Sequence, residues 1–88
     1  MNYERNRPLI SRKNQKNLGK KKIAIVGLGG LGGYLAHGAL RLGIRRMLLF
    51  DGDVFDRTNM NRQIFCTEES LGKYKVDVVK KELLAIDP

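Results

Sequence analysis

The sequence predicts an α/β fold in which a parallel sheet carries a glycine-rich turn. Two short apolar runs, at residues 23–26 and 47–50, have the composition of strands buried on both faces of a parallel sheet. The first run is followed at once by seven residues, 27–33, of which five are glycine. A helical pattern then leads to the second run. Strand, turn, helix and strand in this order predict a βαβ unit with a right-handed crossover.

The leading segment, residues 1–22, is expected to form a basic arm outside the core. Within it, residues 11–17 fit a short helix that ends near Gly19. The arm holds eight basic side chains and one acidic side chain, whereas residues 23–88 hold nine basic and eight acidic ones. Three explanations stay open: binding of nucleic acid, solvation of a flexible leader, and attraction of a polyphosphate ligand or an anionic partner.

Two helices are predicted from the spacing of apolar residues. In the first, residues at intervals of four, four and three form the face expected to meet the core, and Gly43 ends the helix. That face consists of Leu31, Leu35, Ala39 and Leu42. The second helix begins near Lys73 and stops before Pro88. Its apolar face consists of Val76, Val79, Leu83 and Ile86.

The predicted elements form only part of a domain. Residues 51–66 are a loop rich in Asp, Asn and Arg, and the chain ends where another parallel strand is expected. Two strands and two helices do not complete a doubly wound sheet. We therefore expect residues 23–88 to be the N-terminal part of a larger, truncated domain.

Composition limits the disulfides, metal sites and membrane segments that the chain can form. Cys66 is the only cysteine, so the chain has no internal disulfide and too few ligands for a zinc site of its own. The N-terminus lacks an apolar signal region, and no apolar run approaches the roughly 18 residues that a membrane span needs. These features favour a cytoplasmic protein that does not enter a membrane.

The glycine-rich segment predicts a phosphate-binding turn. Gly27, Gly29 and Gly32 fit the pattern G-x-G-x-x-G directly after a strand and at the start of a helix. The first glycine permits the tight turn, the second lets a phosphate approach the backbone, and the third allows close packing of helix and strand. The predicted fold is therefore Rossmann-like. NAD, FAD and ATP all remain open as the nucleotide.

Polar residues after the second strand favour a triphosphate. Asp51 ends that strand, where a dinucleotide fold places the carboxylate that binds a ribose. Arg62 and Lys75 can neutralise phosphate oxygens, and Asn59 can donate hydrogen bonds to them. Such cations would stabilise the charge that develops when an α-phosphate is attacked and pyrophosphate departs.

Four consecutive segments carry a specific resemblance. Residues 25–32 (IVGLGGLG), 49–53 (LFDGD), 58–63 (TNMNRQ) and 71–75 (LGKYK) resemble the signature segments of the ThiF/MoeB/HesA family, whose adenylation domain the ubiquitin-activating enzymes share. Residues 3–6 (YERN) resemble the family's N-terminal Tyr-x-Arg segment. The resemblance implies that the parent protein uses Mg-ATP to adenylate the C-terminal carboxylate of a ubiquitin-like sulfur-carrier protein, with release of pyrophosphate.

The resemblance also implies roles for individual residues. Gly30 would lie at the ATP phosphates, Asp51 and Asp53 would belong to the nucleotide site, and Asn59, Arg62 and Lys75 would contact the phosphates. Arg5 would reach the γ-phosphate of the neighbouring subunit's ATP in a homodimer. Arg5, Arg62 and Lys75 are thus the candidate catalytic residues.

Several family features lie outside this chain. The magnesium-binding Asp is expected after a third strand, and the zinc ligands and thiol-forming cysteine of some members are expected later still. Cys66 and His37 are expected to be packing or surface residues rather than catalysts. We therefore expect the 88 residues alone to be inactive.

Three alternatives to carrier adenylation stay open. One is a tRNA threonylcarbamoyladenosine dehydratase, which adenylates a tRNA-bound carboxylate and would suit the basic arm. A second is a NAD(P)- or FAD-binding domain. A third is a truncated, non-enzymatic subunit that binds a full-length relative.

Overall fold

The computed structural model describes residues 1–87 and contains two parallel strands and three α-helices. In chain order these are α1 (Arg12–Leu18), β1 (Lys22–Val26), α2 (Gly30–Leu42), β2 (Arg46–Phe50) and α3 (Lys75–Ile86). Short 3-10 turns occur at Glu4–Asn6 and Arg57–Asn59. β1 and β2 pair in parallel, from Lys22 beside Arg46 to Val26 beside Phe50. The predicted βαβ unit and α/β fold class are confirmed.

The short helix of the leading segment is also confirmed, and it is packed against the rest of the chain. The Ser11 hydroxyl accepts a hydrogen bond from the Asn14 N–H, which caps α1 at its first turn. Gln15 is buried, and its Nε2 donates to the Leu42 carbonyl at the end of α2, at 2.7 Å. The Gln15 Oε1 accepts from the Asn6 Nδ2 at 3.2 Å. The boundary predicted after residue 22 stays a prediction.

The expected burial of both strand faces is wrong for the part of the chain that the structure describes. Ile25 is buried and Leu49 is partly buried against the helices, whereas Val26 is 82% exposed and Phe50 is 51% exposed. Successive strand residues point to opposite faces of a sheet. Both α2 and α3 pack against the same face, so residues 1–87 leave the other face uncovered.

The face of α2 predicted to meet the core is also wrong. Leu31 is 73% exposed and Leu35 is 53% exposed. The buried residues of α2 are instead Gly33, Ala36 and Leu40. Gly33 lets the helix lie close to the loop residues Ile64 and Phe65 and to the glycine turn, whereas Leu31 and Leu35 lie outside that contact. The predicted core face of α3 is confirmed, since Val79 and Leu83 are buried and Val76 and Ile86 pack against them. The end of α3 at Ile86 agrees with the expected stop, while Pro88 itself lies outside the described residues.

The core lies between the helices, the inner strand face and the loop that follows β2. Leu28, Phe55 and Val79 are its most completely buried large side chains. Leu28 comes from the glycine-rich turn and Phe55 from the loop, so both segments are anchored to the core. Gly27 and Gly43 have φ of +88° and +126°, which the glycine turn and the end of α2 require.

Among the described residues, no helix is long and apolar enough to span a membrane.

Candidate functional site

The glycine-rich turn connects the carboxyl end of β1 to the start of α2. Its first residue, Gly27, donates its N–H to the Phe50 carbonyl at the end of β2, at 2.7 Å. A Cβ on Gly32 would overlap the Gly27 carbonyl oxygen, so only glycine allows the helix to approach the turn this closely. In contrast, a Cβ on Gly30 would meet no heavy atom of the described residues within 4 Å beyond its chain neighbours and the backbone of its own helix. Gly27 and Gly32 thus shape the turn, and Gly30 leaves open space at the helix N-terminus.

Asp51 holds the glycine turn against the end of β2. Its Oδ2 accepts the Leu28 N–H at 2.7 Å, and its Oδ1 accepts the Asp53 N–H at 2.8 Å. Partial burial is the largest single influence on the Asp51 pKa and raises it. The two backbone hydrogen bonds and the nearby charge of Lys75 together outweigh burial, so the pKa of Asp51 lies below its ordinary value. Each carboxylate oxygen keeps a second lone pair that a ribose hydroxyl could use.

Lys75 is a buried cation at the beginning of α3. Its side chain lies with Nζ 5.7 Å from the centroid of the Phe55 ring, and only 7% of the residue is exposed. The Lys75 N–H donates to the Asp53 carbonyl at 3.0 Å, which fixes the start of the helix beside the segment that follows Asp51. Within residues 1–87, no carboxylate lies within the 4.0 Å of an ion pair with its ammonium. The ammonium is therefore available to an anion at this edge of the sheet.

Asn59 and Arg62 lie on the 3-10 turn and the residues that follow it. The Asp56 carboxylate accepts from the Thr58 N–H and hydroxyl, both at 2.9 Å, and these hydrogen bonds lower the Asp56 pKa. The Asn59 Oδ1 accepts from the Asp56 N–H at 2.9 Å, so this oxygen is used within the turn. No described hydrogen bond uses the Asn59 Nδ2, which is the atom that a phosphate would need.

Arg62 is exposed and its guanidinium is held by its own loop. One terminal nitrogen donates to the Thr58 carbonyl and to the Asn61 Oδ1, each at 3.0 Å. Neither partner is charged, and within residues 1–87 no carboxylate forms an ion pair with Arg62 that would compete with an anionic ligand. Arg57, by comparison, is paired with Glu68 at 2.8 Å on the surface.

Buried polar residues hold the loop that presents these groups. The Ser70 hydroxyl accepts a hydrogen bond from the Thr67 N–H at 2.7 Å and donates one to the Phe65 carbonyl at 3.1 Å.

Cys66 is buried in the core and His37 is half-buried, as expected for packing residues. The His37 Nε2 accepts from the Arg41 Nε at 2.9 Å, and its ring meets Phe65 edge-on.

The sequence did not reveal two of the residues that build the site. Leu28 anchors the glycine turn through both its N–H and its buried side chain. Gln63 lies buried against the same turn, although it belongs to a polar segment. The only sequence signal for Leu28 is an apolar residue inside a glycine motif. Gln63 has no apolar spacing that would mark it as buried.

Arg5 lies away from these groups. It belongs to the 3-10 turn Glu4–Asn6, which contacts α1 through Asn6 and Gln15, and Gln15 in turn contacts Leu42 at the last residue of α2. The glycine turn is at the opposite end of α2, a helix of 13 residues that spans about 20 Å at 1.5 Å per residue. The structure therefore brings together the turn, Asp51, Asp53 and Lys75, and keeps Arg5 apart from them.

The described residues do not form a complete site for magnesium or for zinc, the two metals that the resemblance implies. Within residues 1–87 no three His, Cys, Asp or Glu side chains are grouped as metal ligands. Both oxygens of Asp51 are engaged by backbone N–H groups, and the exposed Asp53 is a single carboxylate. The single cysteine and single histidine of the chain are too few for a structural zinc site.

The sequence profile of the ThiF family matches residues 3–88. Among curated proteins, the chain is 35% identical over 86 residues to the tRNA threonylcarbamoyladenosine dehydratase of Bacillus subtilis, covering 98% of this chain and 34% of that protein. It is 41% identical over 75 residues to the ubiquitin-like modifier-activating enzyme 5 of Dictyostelium discoideum, covering 85% of this chain and 19% of that protein.

Two solved structures show the same fold. The Escherichia coli tRNA N6-threonylcarbamoyladenosine dehydratase TcdA, in complex with AMP, matches with a TM-score of 0.93 at 30% identity, over 98% of this chain and 35% of that one. E. coli MccB with ATP matches with a TM-score of 0.80 at 36% identity, over 83% of this chain and 22% of that one. The chain spans about a third or less of the length of these relatives, and it belongs to the ThiF family.

Proposed function

We propose that this chain contributes the nucleotide-binding part of an enzyme that adenylates a carboxylate with ATP. The observation that carries the proposal is Lys75, whose side chain is buried against Phe55 and whose charge acts on Asp51, at the end of the sheet where the glycine turn begins α2. Within residues 1–87 no carboxylate forms an ion pair with this ammonium, so it can bind an anion from outside the chain. A phosphate at the turn would be such an anion, and the free N–H groups at the start of α2 would bind it as well.

ATP is favoured over NAD by the two cations, Arg62 and Lys75, that follow Asp51 in the chain. Asp51 would accept the ribose hydroxyls, and Lys75, Arg62 and the Asn59 Nδ2 would bind phosphate oxygens. A dinucleotide has one pyrophosphate to place, whereas a triphosphate has a third phosphoryl group that needs further positive charge. ATP in MccB and AMP in TcdA support an adenine nucleotide at this fold.

The same groups suit transfer of the adenylyl group. In this reaction a carboxylate oxygen of the substrate attacks the α-phosphorus of ATP. The bond between that phosphorus and the oxygen that it shares with the β-phosphorus breaks. Pyrophosphate leaves with the electron pair of that bond, and an acyl adenylate remains. Lys75 and Arg62 would stabilise the charge that builds on the departing pyrophosphate.

The proposed substrate is the C-terminal carboxylate of a ubiquitin-like sulfur-carrier protein. Its support is the resemblance of the four signature segments and the 41% identity to a ubiquitin-like modifier-activating enzyme. A tRNA-bound carboxylate is the second candidate. The observation in its favour is that the match to the tRNA dehydratase covers 98% of this chain and so includes the basic arm. Pyrophosphate exchange by the full-length protein, with a carrier or with tRNA as acceptor, distinguishes the two.

A homodimer is proposed because Arg5 lies at the wrong end of α2 to reach its own glycine turn. An arginine in that position can serve an ATP site only across a subunit boundary. Its planar guanidinium binds phosphate oxygens bidentately and keeps its charge at every accessible pH.

A titration of the chain with ATP and with NAD, at low and moderate salt, tests the nucleotide. We expect tighter binding of ATP, and an affinity for ATP that falls as salt screens the cations. Equal affinity for both nucleotides, or preference for NAD, would contradict the proposal.

A further inference from the structure

Gln63 places a buried amide beside the glycine turn. Only 5% of the residue is exposed. A Cβ built on Gly29 would lie 3.7 Å from the Gln63 Nε2 and 4.0 Å from its Cδ. Apart from Gly29 itself and its two neighbours in the chain, no other heavy atom of the described residues comes within 4 Å of that point. The Gln63 amide is therefore the nearest neighbour of the space above the second glycine of the motif.

The main chain, not a side-chain partner, holds Gln63 in this position. Its N–H donates to the Asn59 carbonyl at 2.9 Å, and its carbonyl accepts from the Cys66 N–H at 2.9 Å. Within residues 1–87 the Gln63 Oε1 is enclosed and has no hydrogen-bond partner, and no described hydrogen bond uses its Nε2. Buried polar groups are almost always paired in folded proteins, so an exception requires a reason.

A phosphate oxygen cannot donate to the Gln63 Oε1, but it can accept from the Nε2, which has no described partner and is the amide atom nearest to Gly29. In a G-x-G-x-x-G turn the second glycine lacks a Cβ so that a phosphate can approach the backbone. Gly29 is this glycine and also the N-cap of α2, where the N–H groups of the first helical turn point outward. The Gln63 amide thus flanks the space that the motif keeps free for a phosphate.

We propose that the Gln63 side-chain amide is a further ligand of the nucleotide, donating a hydrogen bond to a phosphate oxygen at the glycine turn. This inference rests on the proposed ATP site and adds a residue to it. The NH2 group offers two donors and no charge, which suits an oxygen that already faces the helix N-terminus. Because Gln63 follows Arg62 directly, one short segment would place a neutral donor and a cation on the same triphosphate.

The experiment compares ATP with adenosine, which lacks phosphates, on the wild-type chain and on Gln63→Met. Methionine keeps the volume of the side chain and removes its polar atoms. We expect ATP affinity to fall by about 10-fold or more, as for loss of a hydrogen bond to a charged group, with adenosine affinity unchanged. The thermal midpoint without nucleotide should hold or rise, because the variant no longer buries an unpaired amide.

Gln15→Met is the matched control. Gln15 is also a buried glutamine, 6% exposed, but its amide is hydrogen-bonded at both ends and lies at the far end of α2. This variant should lower the thermal midpoint and leave ATP affinity unchanged. If Gln63→Met does not fold, Gln63→Glu replaces it. The carboxylate keeps the shape and repels phosphate, so ATP affinity should fall while adenosine affinity holds.

The outcomes separate the two proposals. Unchanged ATP affinity in a folded Gln63 variant, while the wild-type chain binds ATP, overturns the role of Gln63 alone. An equal loss of ATP and adenosine binding together with a lowered thermal midpoint also overturns it, because that pattern shows a structural role. If the wild-type chain binds no ATP, the proposed function fails first and the role of Gln63 fails with it.

Discussion

The Asp51 carboxylate accepts the Leu28 N–H at 2.7 Å and so links the end of β2 to the middle of the glycine turn. Its other oxygen accepts the Asp53 N–H. The residue expected to bind a ribose is therefore also the residue that shapes the turn. Loss of its charge should affect stability before any nucleotide is added.

Asp51→Asn should lower the free energy of unfolding by about 1–2 kcal/mol, because two hydrogen bonds to a charged acceptor are replaced by at most one to a neutral oxygen. The pKa of Asp51 is lowered in the folded chain, so its contribution is present above the ordinary value of 3.8 and is lost as pH falls through the lower folded value. Urea unfolding from pH 7 to pH 2.5 measures the difference between wild type and variant. If the difference at pH 2.5 is as large as at pH 7, the Asp51 charge does not contribute to it.

Gly32→Ala should destabilise the chain by about 1–3 kcal/mol or more, because the new Cβ would overlap the Gly27 carbonyl. Gly30→Ala is the control, since its Cβ would enter open space. The control should keep or gain stability, by up to about 1 kcal/mol, and should still weaken ATP binding if Gly30 lies at the phosphates. Thermal unfolding and ATP titration of both variants check this contrast. Equal stability of the two variants would contradict the close packing at Gly32.

The arm is expected to stay docked through Gln15. Gln15→Leu should remove both amide hydrogen bonds and leave the Leu42 carbonyl without this donor, which lowers stability by about 1–3 kcal/mol. Limited proteolysis should then cut within residues 1–22 faster than in the wild type. Lys13→Leu, at an exposed position of the same helix, serves as the control. Equal cleavage in all three chains would show that Gln15 does not hold the arm.

Mixing two inactive variants of the full-length parent tests the shared site. Arg5→Ala and Lys75→Ala should each be inactive as homodimers, and mixed dimers should recover one competent site. Activity should therefore return on mixing, measured by pyrophosphate exchange. Subunit exchange is verified separately by native mass spectrometry. Exchange without recovered activity would rule out a role for Arg5 across the subunit boundary.

The elements of the fold could be predicted from the sequence, but their orientation could not. Apolar runs and glycines marked both strands and the two longer helices, and the short helix expected within the polar residues 11–17 is present as α1. Leu31 and Leu35 were expected in the core because they share a helical face, yet Ala36 and Leu40 occupy it. Apolar residues surround most of α2, so spacing alone could not choose the face. The contact was decided by how closely the helix approaches the strand, which depends on its small residues.

The candidate site was predictable where a residue type alone carries the chemistry. Asp51 and Lys75 were expected at the site, and the structure places them close enough for the Lys75 charge to lower the Asp51 pKa. Their roles toward a nucleotide stay predictions. Gln63 was missed because its burial comes from the hydrogen-bonded path of the loop main chain, which leaves no pattern in the sequence. Arg5 could not be placed, because its distance from the glycine turn depends on how the arm docks.

The most direct test of the account is the affinity for ATP of Lys75→Met beside that of Lys73→Met. Both variants remove one positive charge near the start of α3, but Lys75 is buried beside Asp51 and Lys73 is exposed. Methionine keeps the packing of the Lys75 stem against Phe55. We predict that isothermal titration shows about a 10-fold or greater loss of ATP affinity for Lys75→Met, as for loss of a charged phosphate contact, and little change for Lys73→Met. Equal affinities for the two variants would contradict a triphosphate site at Lys75.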